Sequence, residues 1–353
     1  MKKNRIILLG MLISSILASC LFIKAENLKN EPGVEPILIP VLTYHRVLPK
    51  VASIYDYTPE QLEEHLQYFK DNGYTPITAL EMMDKMSTPE QLPEKPVVLT
   101  FDDGHKSHYT RVFPLLKKYG YRATFFVYTN VISEKSEKRL TWDELRTMRA
   151  EGMDIQSHTK SHPFLTQAKQ NQSQPDYLKW LTSEIYDSKR ILEQKLDCKV
   201  DLLAYPYGWF NQDIERIAVQ AGYKGIFTVN WGVNSLAENP LRIKRRVMEN
   251  SMDLKELHRL LTVKPLPMEI IQPEDGSILG QAPTIKFKIT DSRIEKVEVK
   301  VRSVTGQATK DQEGCYSWTG LKNLTSGYYM VIVKGFDEEG QVLMNSWGFY
   351  YQK

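Results

Sequence analysis

Two adjacent carboxylates, Asp102 and Asp103, end the apolar run Val97-Val98-Leu99-Thr100-Phe101 and are followed by Gly104. A run this rich in β-branched residues reads as a buried parallel strand that delivers charge at its C-terminal end. Successive residues on an extended chain point to opposite sides, so the two acids suit two roles better than one. The alternative is a βα loop in which one Asp caps the next helix, a position Asp favours. Downstream, His158 and His162 bracket Thr159-Lys160-Ser161 and begin where the strand expected over 153–157 ends. A helical turn there would put both imidazoles on one face. With one carboxylate they make the two-histidine, one-acid ligand set of a catalytic zinc or similar metal with open positions. Taken alone, the pair reads better as surface or capping histidines; partners at comparable strand ends turn the reading toward a metal site.

Those partners require a scaffold. Residues 37–44 read as a strand ending in His45, and Thr58-Pro59-Glu60-Gln61 is a capping box opening a helix that stops at Asn72-Gly73. Strands over 74–77, 123–127, 153–157, 202–204 and 225–229 alternate with helices over 80–86, 109–119, 141–151, 177–195 and 212–220. A further strand over 242–247 and a helix over 253–261 end the series. This βα alternation predicts a parallel α/β fold, barrel or doubly wound sheet. His45, Asp102, Asp103, His158, His162, Tyr207 and Trp231 all follow C-terminal strand ends, which favours the barrel, where those ends converge on one face. Lys244-Arg245-Arg246 reads as a solvated strand end, and His105 and His108 as rim or helix-start residues.

After the proline-bracketed stretch 263–268, short alternating runs (285–289, 297–301, 329–333) with turns such as Asp275-Gly276 and Glu339-Gly340 predict an immunoglobulin- or fibronectin-like sandwich over 269–353. At the other end, Lys2, Lys3 and Arg5 precede an apolar run over 6–23, the pattern of an export signal. Within it Leu17-Ala18-Ser19-Cys20 resembles the lipobox of bacterial lipoproteins. The expected order is therefore a signal over 1–19, lipidation at Cys20, a tether over 20–36, the α/β domain over 37–262, a linker over 263–268 and the sandwich. Cleavage after Ala25 and an uncleaved anchor are the alternatives; all three put the folded part outside the cytoplasm. Removing residues 1–19 takes the formal net charge from +3 to 0, and no basic stripe carries interleaved aromatics, so nucleic acid is excluded as a partner. Beyond Cys20 only Cys198 and Cys315 remain, so the chain is not built on disulfides.

Thr100-Phe101-Asp102-Asp103-Gly104 with His158-Thr159-Lys160-Ser161-His162 resembles the first two motifs of the polysaccharide deacetylases, the carbohydrate esterase family 4 or NodB-homology enzymes. Val41-Leu42-Thr43-Tyr44-His45-Arg46-Val47 and Ala204-Tyr205-Pro206-Tyr207-Gly208 are most similar to the branch acting on poly-β-1,6-N-acetylglucosamine of biofilm matrices. The resemblance runs over about 36–261. It implies a distorted (β/α) barrel of the NodB type and one divalent metal ion, zinc foremost with cobalt or nickel as the others, on Asp103, His158 and His162. Asp102 would be the general base toward the attacking water, and the backbone at Tyr207, flanked by Pro206 and Gly208, would help hold the oxyanion with Trp231 nearby on the substrate face. His45 would be the acid, since the late Leu257-His258 lacks the family's spacer. An arginine that normally opens the third motif is replaced by Ala204, and its acidic partner by Asn230, which leaves open what orients Asp102. The expected activity is hydrolysis of N-acetyl groups from β-linked N-acetylglucosamine polymers by a membrane-tethered extracytoplasmic enzyme, with peptidoglycan or chitooligosaccharides as other substrates. A non-catalytic surface carbohydrate-binding protein is the alternative of another class.

Overall fold

The computed structural model describes residues 37–86, 88, 91–167 and 172–353; the export signal, Cys20 and the tether lie outside the described residues. The first layer alternates strand and helix: β1 Leu38–Ile39, β2 Val41–Tyr44, α1 Pro59–Asp71, β3 Thr75–Ile77, α2 Ala79–Lys85, β4 Pro96–Asp102, α3 Phe113–Tyr119, β5 Thr124–Val127, α4 Trp142–Ala150, β6 Asp154–Ser157, α5 Gln174–Leu196, β7 Leu202–Ala204, α6 Gln212–Gln220 and β8 Gly225–Phe227. There follow β9 Asn234–Ser235, β10 Arg246–Val247 and α7 Leu254–Thr262. Local chemistry sets the boundaries. Thr58, Thr78 and Thr141 each form a reciprocal capping box with the Gln or Glu three residues on, and Gly120 ends α3 in the left-handed region at φ 70°.

The strands run parallel in the order β10-β2-β4-β5-β6-β7-β8, with β3 also on β4. All seven residues of β4 are buried, as expected of a strand covered on both faces. Inside the curl lie Val41, Val98, Phe126, Leu202, Phe227 and Ile243; outside, the helices bury a second cluster that includes Leu66, Phe101, Phe125, Leu145, Ile185 and Leu203. The segment after β8 brings the sheet round on itself: Ile243 bridges Phe227 of β8, and three residues later Arg246 and Val247 pair with Leu42 and Thr43 of β2. The sheet is thus the curled (β/α) barrel expected from the placement of reactive residues.

The C-terminal part holds two sheets. One contains β11 Lys264–Pro265, β13 Ile278–Leu279, β15 Ile294–Val301, β16 Val304–Gln307, β19 Gly327–Asp337 and β20 Val342–Tyr351; the other contains β12 Met268–Gln272, β14 Ile285–Ile289, β17 Thr309–Lys310 and β18 Cys315–Trp318. Phe287, Val299, Tyr316, Val331, Trp347 and Phe349 fill the space between them. Two expectations are corrected here. Residues 263–268 do not run free between layers: Lys264 and Pro265 pair with Leu343 and Met344, and Leu266 is buried. The run Tyr328–Val333 is also more than an alternating sandwich strand, because both its faces are covered. Tyr329, Val331 and Val333 face the second sheet, while Tyr328 joins the barrel's outer cluster and Ile332 packs with Val233 and Val263. Polar ties accompany this packing: Tyr328 Oη donates to Asn230 Oδ1 at 3.0 Å, Ser346 Oγ to the Trp231 carbonyl at 2.6 Å, and Arg242 pairs with Asp275 at 3.4 Å. Cys198 and Cys315 are free thiols.

Removing residues 264–353 would expose the barrel surface now covered by Tyr328, Ile332, Met344 and Tyr350, each fully buried side chain being worth about 1.5–3 kcal/mol. A chain ending at Val263 should therefore unfold at a clearly lower urea midpoint than the full chain and bind a hydrophobic dye; an unchanged midpoint would mean that the layers are energetically independent.

Candidate metal centre and catalytic face

Asp102 is the last residue of β4, and the strand's pairing with β5 carries through it: Asp102 lies opposite Phe126, and the Asp103 amide donates to the Phe126 carbonyl at 3.1 Å. The chain then turns sharply, with Asp103 at φ 79° and Gly104 at φ 62°. Arg139 Nη1 holds the Asp103 carbonyl at 3.1 Å and the Leu140 amide holds that of Gly104 at 2.9 Å. The alternation expected of adjacent acids is realised: Asp102 turns into the barrel and is 2 % exposed, whereas Asp103 sits at the rim.

His158 follows β6 and His162 comes four residues later, but no helical turn connects them. The loop is irregular, with Thr159 at φ 69° and His162 at φ 60°, conformations that cost energy in non-glycine residues and gather at functional sites. Thr159 Oγ1 accepts from the His162 amide at 3.1 Å. Glu184, buried on α5, accepts from the Ser161 amide at 2.9 Å and from Ser161 Oγ at 2.7 Å, while its own carbonyl takes the Lys160 amide. Lys160 Nζ reaches Asp187 at 2.8 Å. The loop's shape is therefore imposed by α5, which the motif's own spacing did not reveal.

These turns bring Asp103, His158 and His162 together, one ligand atom from each lying within 4.8 Å of the others. His158 Nδ1 donates to the Ala204 carbonyl at 2.7 Å, which turns the lone pair of Nε2 toward Asp103 Oδ1 at 3.7 Å. His162 Nε2 lies 3.3 Å from the same oxygen, and Asp103 Oδ1 is buried without a hydrogen-bond partner. Burial pushes the His158 imidazole down to about 4 and lowers that of His162, so both are neutral donors near pH 7. An orphaned carboxylate oxygen facing two imidazole nitrogens fits a divalent cation, and the backbone carbonyl behind His158 is the outer-shell partner that metal-binding histidines characteristically have.

Asp102 has a partner after all, and it corrects the reading of Lys244-Arg245-Arg246 as solvated. Arg245 is fully buried and Lys244 nearly so. Because residues 243–247 close the sheet between β8 and β2, Arg245 points into the barrel. Its Nη1 donates to Asp102 Oδ1 at 2.9 Å and its Nε to the Thr228 carbonyl at 3.0 Å, with the guanidinium 5.2 Å from the centre of the Phe126 ring. Burial alone would raise the Asp102 carboxyl; Arg245, with His158 and His45 adding, overrides it and brings it down to about 2. The arginine absent at Ala204 is thus supplied by another strand, and Asn230 instead takes the Tyr328 hydroxyl.

His45, after β2, has Nδ1 buried without a partner and lies close enough to Asp102 and His162 to act on both electrostatically. His108 holds it in place. Far from lying on the rim, His108 is fully buried, opens the π-helical turn His108–Val112, and donates Nε2–H to the His45 carbonyl at 2.7 Å. Tyr207, at φ 60°, places its ring 4.8 Å from that of His162 and stacks on Phe164 at 3.8 Å. Its amide makes no hydrogen bond among the described residues. Pro206 begins this 3₁₀ turn, and Gly208 is required in it, since a Cβ there would stand 2.3 Å from Val229. Trp231 lies farther along, beneath the Arg246 guanidinium at 3.9 Å. His258 is exposed on α7 with Nδ1 2.7 Å from Tyr68 Oη, as expected of a mid-helix residue.

Two variants test this scaffold. Arg245→Met strands a buried carboxylate and should cost about 3–5 kcal/mol in urea unfolding at pH 7. The cost should shrink as acid protonates Asp102, whose folded-state carboxyl would then sit above its unfolded value; a pH-independent loss would mean the pair is not ionic. Glu184→Ala should weaken divalent-cation affinity by about 10–100-fold by calorimetric titration, because the loop carrying His162 loses its anchor.

A family model described as polysaccharide deacetylase matches residues 90–226. YxkH of Bacillus subtilis (strain 168), named for this same family, is 30 % identical over 201 residues, 57 % of this chain and 68 % of its own length. The poly-β-1,6-N-acetyl-D-glucosamine N-deacetylase of Escherichia coli (strain K12) is 24 % identical over 289 residues, 72 % of this chain but 43 % of its own. Among solved structures, the Streptococcus pyogenes deacetylase PplD, in complex with acetate, superposes with a TM-score of 0.58 at 31 % identity, covering 64 % of this chain and 99 % of that one. With the Asp-Asp strand, the paired histidines and the curled parallel sheet in place, this chain belongs to the polysaccharide deacetylase family.

Proposed function

We propose that the chain hydrolyses N-acetyl groups from β-linked N-acetylglucosamine polymers, with poly-β-1,6-N-acetylglucosamine as substrate and a divalent cation, zinc foremost, on Asp103, His158 and His162. The observation that carries this reading is the division of labour between the two acids. Asp103 offers an unpaired oxygen to two neutral imidazoles, while Asp102, kept ionised by Arg245, is free for proton transfer. Binding a neutral glycan without chemistry would need neither. The polymer is inferred from the E. coli relative's name and from His45 on the first strand.

The chemistry supplied by a divalent cation in this site is Lewis-acid polarisation of the acetamide carbonyl and acidification of the attacking water. Asp102 takes the proton that water loses as its oxygen joins the carbonyl carbon. The amide of Tyr207 donates to the carbonyl oxygen as it becomes anionic. His45 then gives a proton to the nitrogen as the carbon–nitrogen bond breaks, leaving acetate and a free amine. His108 positions His45 from behind, and Arg245 positions Asp102.

Acetate release from β-1,6-linked N-acetylglucosamine oligomers should fall about 10²–10⁴-fold in Asp102→Asn with cation content retained. It should vanish in the His158→Ala, His162→Ala double variant together with the bound cation, and fall steeply in His45→Ala but not in His258→Ala. Undiminished turnover in Asp102→Asn would sink the base assignment, and a full complement of cation in the double variant would remove the site.

A further inference from the structure

An open cleft of about 360 Å³ lies where the barrel rim meets the exposed part of the β15–β19 face, lined by Trp209, Trp231, Lys300, Arg302, Tyr328 and Met330 among others. It is joined to the proposed metal centre by a run of rings. His162 and Tyr207 are 4.8 Å apart, Tyr207 and Trp209 6.3 Å, and Trp209 lies 6.2 Å from Tyr328 at an interplanar angle of 21°. A polymer whose reacting sugar sits over His162 therefore has an aromatic path leading into the cleft. Half-buried indoles beside polar side chains suit pyranose rings, which present C–H faces and hydroxyl edges.

The charge of the cleft narrows its occupant. Lys300 Nζ makes no hydrogen bond or ion pair among the described residues, and Arg302, which donates to the Tyr328 carbonyl at 3.3 Å and lies over the Tyr329 ring, has no carboxylate partner among them. No acidic residue lines the cleft; Glu298, on the same side of β15 as Lys300, is outside it. Cationic donors hydrogen-bond an acetamide carbonyl or a hydroxyl oxygen but repel the ammonium of a deacetylated sugar.

Resting on the activity proposed above, we infer that this cleft is a remote subsite for the same glycan chain, one that accepts N-acetylated sugars and rejects glucosamine. The C-terminal sheets then serve recognition as well as cover, and each round of deacetylation weakens binding of the product when a modified sugar reaches the cleft. This gives the product a spaced pattern of free amines.

The test uses the full chain and acetate release from three substrates: the β-1,6-linked dimer, the fully acetylated hexamer, and a hexamer carrying glucosamine at the end away from the reacting unit. The native chain should favour the hexamer over the dimer, and the acetylated hexamer over the glucosamine-bearing one. Lys300→Glu, which leaves one carboxylate against Arg302, should lower the hexamer-to-dimer ratio of kcat/KM about tenfold and remove the preference between hexamers. Lys300→Ser, which removes one of the two cations and leaves Arg302, should narrow that preference without abolishing it. Unchanged ratios in both variants, with the native chain active, would overturn the subsite alone. A native chain releasing acetate from none of the three would overturn the proposed activity, and the subsite with it.

Discussion

A charge pair inside the barrel is the constraint around which the rest of the structure is arranged. Asp102 and Arg245 are 2 % and 0 % exposed and bonded at 2.9 Å, and a buried pair of this kind repays its desolvation only when geometry and further hydrogen bonds are good. Those conditions are met by strand placement. Thr228 on the loop after β8 takes the guanidinium Nε, Phe126 lies beneath it, and the 243–247 segment reaches it by bridging the two outer strands of the sheet. Closure of the fold and ionisation of Asp102 are thus one event: a chain that failed to bring residues 243–247 into the gap would leave the carboxylate buried and uncompensated.

Strain is concentrated on the same face. Of the seven non-glycine residues with positive φ among those described, Asp103, Thr159, His162 and Tyr207 surround the proposed metal centre. Each is held by neighbours: Asp103 by Arg139 and Phe126, Thr159 by Ser157 and Thr129, His162 by Thr159 with Glu184 on the adjacent Ser161, and Tyr207 by Phe164. Such conformations persist only where surrounding structure outweighs their cost. The helix α5, long and distant in sequence from the carboxylates, is part of the site in this sense, as is the buried His108.

The C-terminal sheets pack onto this barrel through β19 and β20. Tyr328, Met330 and Ile332 continue the apolar periodicity of Tyr329, Val331 and Val333 on the opposite side of the same strand, and that second face is covered by the barrel. The same junction holds the two indoles and the cations of the cleft. A strand apolar on both sides within an otherwise alternating region is a sequence sign of a third layer, visible in 328–333 once periodicity is read on both faces.

By itself the sequence determined the alternation of strand and helix, the capping box at Thr58, and the chemical types at each strand end, because these follow from local periodicity and hydrogen bonding over a few residues. It also placed Asp102, Asp103, His45, His158, His162 and Tyr207 on one face, since parallel strands deliver their C-terminal ends together. Tertiary structure alone decided the partner of Asp102, the turn between His158 and His162, and the burial of His108 and Lys244-Arg245. Arg245 is 143 residues from Asp102 and sits in a basic triplet that local patterning reads as solvated. Only the closing of the sheet, which moves Lys244 and Arg245 between two strand edges and out of water, turns one of these cations inward.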